Sequence, residues 1–251
     1  MTEFTIKVAD CIVAVRAMFQ STKNHCRDYL CDEAPDLTIR MTREDIDFER
    51  EKSAKEAELE GKTVQNYSDA YLEVLALQRK ITERLFDYDT LLFHGSVVAV
   101  DGKGYLFTAK SGTGKSTHTR FWRELLGDRA VMVNDDKPFL RITEQGILAC
   151  GSPWNGKHGL GSNLNVPLKA VCILERGEEN HIQSIPANQA LSMLLQQSNR
   201  PMDRKWFPKY LELLDRLAGG VAFYSLACNM DPQAALVSYQ AMSDNGKEDE
   251  T

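Results

Sequence analysis

Nine consecutive residues, Ala109-Lys110-Ser111-Gly112-Thr113-Gly114-Lys115-Ser116-Thr117, satisfy the phosphate-loop pattern G-x-x-x-x-G-K-[ST] at every specified position but the first, where alanine replaces glycine. Glycines in such a turn let successive backbone N–H groups converge on an anion, and the helix that follows adds the positive end of its dipole. In that chemistry Lys110, Ser111, Gly112, Thr113, Gly114, Lys115, Ser116 and Thr117 form the nucleotide-binding set. Lys115 then reaches the terminal phosphates, and Ser116 Oγ is a magnesium ligand. The competing account is a glycine-rich strand-to-helix turn with an exposed lysine. Agreement at several positions and on both flanks favours phosphate.

Asn134-Asp135-Asp136 follows the apolar run Ala130-Val131-Met132-Val133, which puts two carboxylates at a strand end, where an acid would meet the metal. One carboxylate can hold the ion while the other accepts a proton from an attacking hydroxyl. Without the phosphate loop, an Asx-type turn after a strand would be the preferred reading of the pair. A third segment, Gly151-Ser152-Pro153-Trp154-Asn155-Gly156-Lys157-His158-Gly159-Leu160-Gly161, is too glycine-rich for regular structure and carries a cation beside an imidazole. Loops of this composition often bind substrate, which makes Lys157 and His158 acceptor-facing candidates. A surface connection whose Trp154 merely packs down competes almost evenly.

The elements that must position these residues are legible around them. Ser96–Val100 and Tyr105–Thr108, joined by Asp101-Gly102-Lys103-Gly104, read as a β-hairpin feeding the glycine turn. Thr117–Leu126 reads as a helix with Phe121, Trp122, Leu125 and Leu126 available for one face, ended by Gly127. Ala130–Val133 reads as a buried strand. Phe139–Ile142 and Ile147–Cys150 suggest a second hairpin and Ala170–Leu174 a central strand, so the core is a mixed sheet. Helices are expected near 188–198 and 205–217, a strand at Val221–Leu226, and a last helix opened by Asp231-Pro232.

Upstream, strands are expected at Phe4–Val8, Cys11–Val15 and Asp36–Arg40, and a solvated helix or loop over Arg43–Lys62. Ser68 can cap a helix whose apolar positions Tyr71, Val74, Leu75, Leu77, Ile81 and Leu85 recur at three and four. The expected organisation is an N-terminal α+β segment over 1–89 packed on the core, a core with C-terminal helices over 90–242, and a polar tail over 243–251.

Composition narrows the partners. The chain has 251 residues, 43% hydrophobic and 26% charged, which suits a globular protein with its own core. A net charge of -6 without a long basic stripe argues against nucleic acid. The apolar runs are strand-sized, so no membrane span is expected. Met1-Thr2-Glu3-Phe4 carries neither a basic n-region nor an apolar h-region, which points to the cytoplasm. The six scattered cysteines form no C-x-x-C, so reduced thiols are expected. A homo-oligomer is left open.

Phe93-His94-Gly95, the hairpin, Ser111-Gly112-Thr113-Gly114-Lys115-Ser116 and Asn134-Asp135-Asp136 together resemble the catalytic domain of HPr kinase/phosphorylase and its relative, ATP-dependent phosphoenolpyruvate carboxykinase. The resemblance covers roughly residues 90–180. Its most specific element is the combination, because in ordinary P-loop NTPases no His-Gly-opened hairpin normally precedes the phosphate loop. It implies an α/β fold with a mixed-sheet P-loop core of that type, and an ATP- and magnesium-dependent kinase moving a phosphoryl group to a hydroxyl of a small metabolite, peptide or protein serine. His94 acquires a role near the transferred phosphate. Lys115 becomes the phosphate-binding lysine, Ser116 and Asp136 the metal ligands and Asp135 the acid/base, although the two aspartates could be exchanged. A phosphorylase or pyrophosphate-using reaction at the same site, and a nucleotide-sensing regulator that binds without turnover, stay open.

Overall fold

The computed structural model describes residues 1–243, so residues 244–251 of the expected tail lie outside the described part. The chain divides into two compact units, Met1–Leu85 and Phe86–Thr251.

In the first unit β1 (Thr2–Val8) and β2 (Cys11–Ala17) form an antiparallel hairpin whose turn residues Ala9 and Asp10 both take positive φ. A short helix α1 (Gln20–His25) leads to β3 (Leu37–Arg40), which lies parallel to β2. The charged run becomes helix α2 (Arg43–Leu59), started by a capping box in which Thr42 N donates to Asp45 at 3.0 Å. Helix α3 (Asp69–Leu85) is capped as expected, Tyr71 N donating to Ser68 Oγ at 3.3 Å. Tyr71 itself faces solvent, so the buried apolar face of α3 begins at Leu72 and Val74. Glu73 of α3 is fully buried, and its carboxylate accepts from Met18 N at 2.6 Å, Phe19 N at 3.1 Å and Thr22 Oγ1. A buried carboxylate needs such partners to offset its desolvation.

The second unit is a mixed α/β fold. Strands β4 (Thr90–Leu92), β5 (Ser96–Val100), β6 (Lys103–Thr108), β7 (Ala130–Asn134), β8 (Phe139–Thr143), β9 (Gly146–Cys150) and β10 (Asn165–Arg176) run in the spatial order β4-β8-β9-β10-β6-β5-β7. Two more strands, β11 (His181–Ile185) and β12 (Ala222–Cys228), extend it: β12 pairs parallel to the C-terminal half of β10, and β11 antiparallel to β12. The sheet is buried on both faces, so residues along β5 alternate between two cores rather than between core and solvent. Val97 and Ala99 join the cluster under helices α5 (Ala187–Gln197) and α6 (Phe207–Gly220). Val98 and Val100 join the cluster under α4 (Lys115–Leu126) and α7 (Gln233–Ser243). Trp122 anchors that second face: its ring packs edge-on against Phe107 and its Nε1 donates to Ser238 Oγ at 2.8 Å.

Four elements departed from expectation. The strand after the helix is only partly buried, with Val131 41% exposed, because β7 is an edge strand paired to β5 alone, and antiparallel to it. Helix α4 begins two residues earlier than its apolar pattern suggested, and Leu125 points outward. Short β4 and exposed β11 carry too little periodic signal to be read from sequence. Among the described residues no helix is long and apolar enough to cross a membrane, and all six cysteines are free thiols.

Candidate functional site

The glycine-rich turn connects the end of β6 to the start of α4. Ala109 is fully buried at its base, a position where glycine is not needed because only a methyl group must be accommodated. Gly112 and Gly114 have φ of 77° and 118°, in the left-handed region that favours glycine. Thr113 closes the turn, its Oγ1 donating to Lys110 O at 2.8 Å. Gly114 is the N-cap of α4, with no side-chain cap and no acidic residue in the first turn. The N–H groups at this end are therefore not spent on a capping side chain, and the dipole is not neutralised locally. Lys110, Ser111 and Ser116 are exposed, whereas Lys115 is partly buried. Burial lowers the pKa of Lys115, with the nearby Asp136 carboxylate opposing and Lys137 reinforcing the shift.

The end of β7 delivers the acids, and the residue that organises them is Asn134. Its Oδ1 accepts from the N–H groups of Asp136 at 2.9 Å and Lys137 at 2.6 Å, which is the Asx turn. Its Nδ2 donates to Ser152 O at 3.1 Å and Asn155 Oδ1 at 2.9 Å. Because Asn134 makes the turn, both aspartate side chains are released for other contacts, and they go different ways. Asp135, 7% exposed, accepts from Gly156 N at 2.5 Å and Leu160 N at 3.4 Å. Asp136 instead accepts from His94 Nε2 at 3.2 Å, with both side chains about one-third exposed. Burial raises the pKa of Asp136, but the His94 hydrogen bond and the charges of Lys137, His94 and Lys115 outweigh it and hold the carboxyl below its usual range.

The His-Gly pair reaches this point through backbone contacts. His94 N donates to Gln197 O at 2.7 Å, and its carbonyl accepts from Thr108 Oγ1, at the end of β6, at 3.0 Å. Gly95 N donates to Asp136 O at 3.0 Å. A Cβ on Gly95 would sit 3.1 Å from Phe107 O, so close approach of the two chains calls for glycine there. The link before β5, the end of β6 and the end of β7 thus converge, and Lys115, Asp136 and His94 share one neighbourhood.

The 151–161 loop is anchored rather than free at its base. Trp154 is buried edge-on to Phe139, with ring centroids 6.2 Å apart, and Ser152 Oγ donates to Lys137 O at 2.6 Å. Lys157 and His158 stand exposed at its tip. Sequence reasoning passed over Asn134 as organiser, Lys137 as a second cation beside Asp136, and Arg176, whose guanidinium donates to Gly112 O at 2.8 Å. The Asn before the acid pair was the one local signal available; Arg176 lies sixty-four positions from its partner and gave none.

Among the described residues no group of three or more His, Cys, Asp or Glu side chains could cage a metal. A hydroxyl and one carboxylate, Ser116 and Asp136, are the donors beside the turn. That set suits magnesium, which binds through few protein ligands together with phosphates and water, and not a metal that needs a full protein cage.

No curated protein matches the chain. A solved structure of the Hpr(Ser) kinase/phosphatase from Coxiella burnetii is similar at 14% identity with a TM-score of 0.37, covering 62% of this chain and 99% of that one. A family model described as SynChlorMet cassette protein ScmC matches residues 62–236, and the chain belongs to that family.

Proposed function

We propose that the chain is a magnesium-dependent phosphotransferase that takes the terminal phosphoryl group of ATP and passes it to a hydroxyl acceptor. The observation that carries this reading is the convergence of Lys115, Asp136 and His94 beside a glycine turn whose helix end has no side-chain cap. In the reaction the bond between the terminal phosphorus and its bridging oxygen breaks, a new bond forms to the acceptor oxygen, ADP leaves and the hydroxyl proton passes to a carboxylate. Lys115 and the backbone donors of 112–117 hold the phosphates in line, so the protein contributes chiefly positioning and charge stabilisation. Ser116 and Asp136 would hold magnesium, which would supply further neutralisation of developing charge.

The hydrogen bonds favour giving both acid roles to Asp136. Asp135 spends its carboxylate on Gly156 and Leu160, so we assign it to holding the loop that carries Lys157 and His158. Asp136, oriented by His94, is then the proton acceptor as well as the acid nearest the metal. Lys157 and His158 are the acceptor-side residues in this reading. The peptide or metabolite acceptor is met from that exposed tip.

ATP with magnesium should stabilise the chain against thermal unfolding, by about 2.7 kcal/mol at a hundredfold excess over Kd. Lys115→Ala should abolish most of that stabilisation without lowering the melting temperature of the free protein. An unchanged ATP-dependent shift in Lys115→Ala would overturn the phosphate-loop assignment.

A further inference from the structure

A cavity of about 480 Å³ opens beside the glycine turn, bordered by Gly112–Gly114 and continuing away from Lys115 along α4. Its size falls within the ~300–1,000 Å³ typical of small-molecule sites. Strands β6, β10 and β12 run parallel to one another, so their carboxyl ends, Thr108, Arg176 and Cys228, lie on one side of the sheet. Ligands of α/β sheets bind in the crevice at such ends. One wall is the α4 face formed by Thr117 and Phe121, four residues apart; the other is the β10 and β12 ends with Met230 beyond them.

The wall chemistry is distinctive. Phe121 is buried and Met230 is 71% exposed, so the lining includes both an aromatic ring and a movable thioether. His118, also on the lining, is buried against Phe107 and Ser238 and its pKa is pushed down to about 4 by that burial, so this imidazole is uncharged at neutral pH. Asn229 looks like a base reader but is consumed by the protein. Its Nδ2 donates to Glu178 O at 2.8 Å, its Oδ1 accepts from Asp231 N at 2.9 Å, and its own N–H donates to Asn180 Oδ1 at 3.0 Å. Gly177 N is likewise committed to Cys228 O at 3.0 Å. Arg176 closes the end nearest the phosphates through its bond to Gly112 O.

We propose that this cavity takes the nucleoside of a nucleoside triphosphate and holds the base by apolar and stacking contact, without reading its hydrogen-bonding edge. The inference rests on the nucleotide reading above and adds that adenine and guanine nucleotides bind alike. A pocket rejects an analogue strongly only when its buried polar groups would be left unpaired, and here Asn229 and Gly177 N already have partners within the protein.

Calorimetric titrations of the full chain in excess magnesium with ATP, GTP and inorganic tripolyphosphate test this. ATP and GTP should have Kd values within about fivefold of each other. Both should bind more tightly than tripolyphosphate by about 5- to 100-fold, the range expected of one stacked base. Met230→Ala, at an exposed position, and Phe121→Leu should weaken both nucleotides equally and leave tripolyphosphate unchanged. If Phe121→Leu fails to fold, Met230→Ala decides. Tripolyphosphate binding as tightly as ATP, while still lost in Lys115→Ala, would overturn the nucleoside pocket and keep the phosphate loop. A preference of a hundredfold or more for one purine would overturn the absence of edge reading. If none of the three binds, both the pocket and the nucleotide reading fall.

Discussion

The segments 109–117 and 151–161 have similar composition, each with glycines, a lysine and a serine, yet the fold uses them oppositely. In 151–161 the backbone donors are spent internally: Gly156 N and Leu160 N on Asp135, Gly159 N on Gly156 O, and Trp154 N on Ser152 Oγ. In 109–117 the chain turns through Gly112 and Gly114 at positive φ into a helix start with no side-chain cap. The first segment is built around an acid the protein supplies. Segment 109–117 has no side-chain cap on its helix end, where Lys115 adds positive charge, and in the proposed function that end meets the phosphates. Glycine content therefore marks where the backbone bends sharply, while the destination of its N–H groups separates a structural loop from a ligand-binding one.

The largest test of this contrast compares the two acids. Asp136→Asn should cut turnover by about 10²- to 10⁴-fold, the usual worth of a general base, and should also weaken the magnesium-dependent part of nucleotide binding in calorimetry. Asp135→Asn should instead act on the loop, since an amide nitrogen would replace the oxygen that accepts from either Gly156 N or Leu160 N and would face that N–H. The cost should be on the order of 1–3 kcal/mol in unfolding free energy, with faster hydrogen exchange confined to residues 151–161. If Asp135→Asn abolishes turnover with the loop's exchange unchanged, the roles revert to Asp135 as base.

A smaller effect is expected at the loop's tip. Lys157→Ala removes an exposed cation that can meet the acceptor, and should lower kcat/KM for a responsive acceptor about tenfold, roughly 1.4 kcal/mol. Nucleotide Kd should stay unchanged, because the substitution alters no group of the phosphate loop. Unaltered acceptor kinetics would return the tip to a plain surface connection.

Much of this molecule can be read before its structure, and the reason is local. The hairpin at Asp101-Gly102, the helix ended by Gly127 and the Asp231-Pro232 start all declare themselves within a few residues, through positive φ or a fixed one. The glycine turn is visible for the same cause. What escaped was set by partners distant in sequence. Whether Asp135 or Asp136 meets the chemistry depends on Gly156, Leu160 and His94, between twenty-one and forty-two positions away, and neighbouring acids look alike until those partners are in place. The exposure of Val131 depends on β7 lying at the sheet edge, a property of strand order rather than of the strand itself.

The subtlest expectation concerns how His94 sets Asp136. In the folded protein burial raises the Asp136 pKa, but the His94 hydrogen bond leads the opposing influences and the net shift is downward. A carboxyl whose folded pKa is depressed contributes stability above its unfolded pKa, and that contribution is lost as pH falls through the folded value. The ionised form needed to accept a proton is therefore preserved to lower pH than an ordinary aspartate would allow. His94→Ala removes the hydrogen bond and leaves much of the burial, so the Asp136 pKa must rise. At neutral pH the change in rate should be slight, because the carboxylate remains ionised there. The acidic limb of the kcat profile should move to higher pH, and the loss of stability with falling pH that Asp136 contributes should become shallower, because its folded pKa then lies closer to its unfolded value. An acidic limb that stays in place in His94→Ala, with Asp136→Asn still inactive, would show that His94 contributes packing at this site and leaves the titration of Asp136 to Lys115 and Lys137.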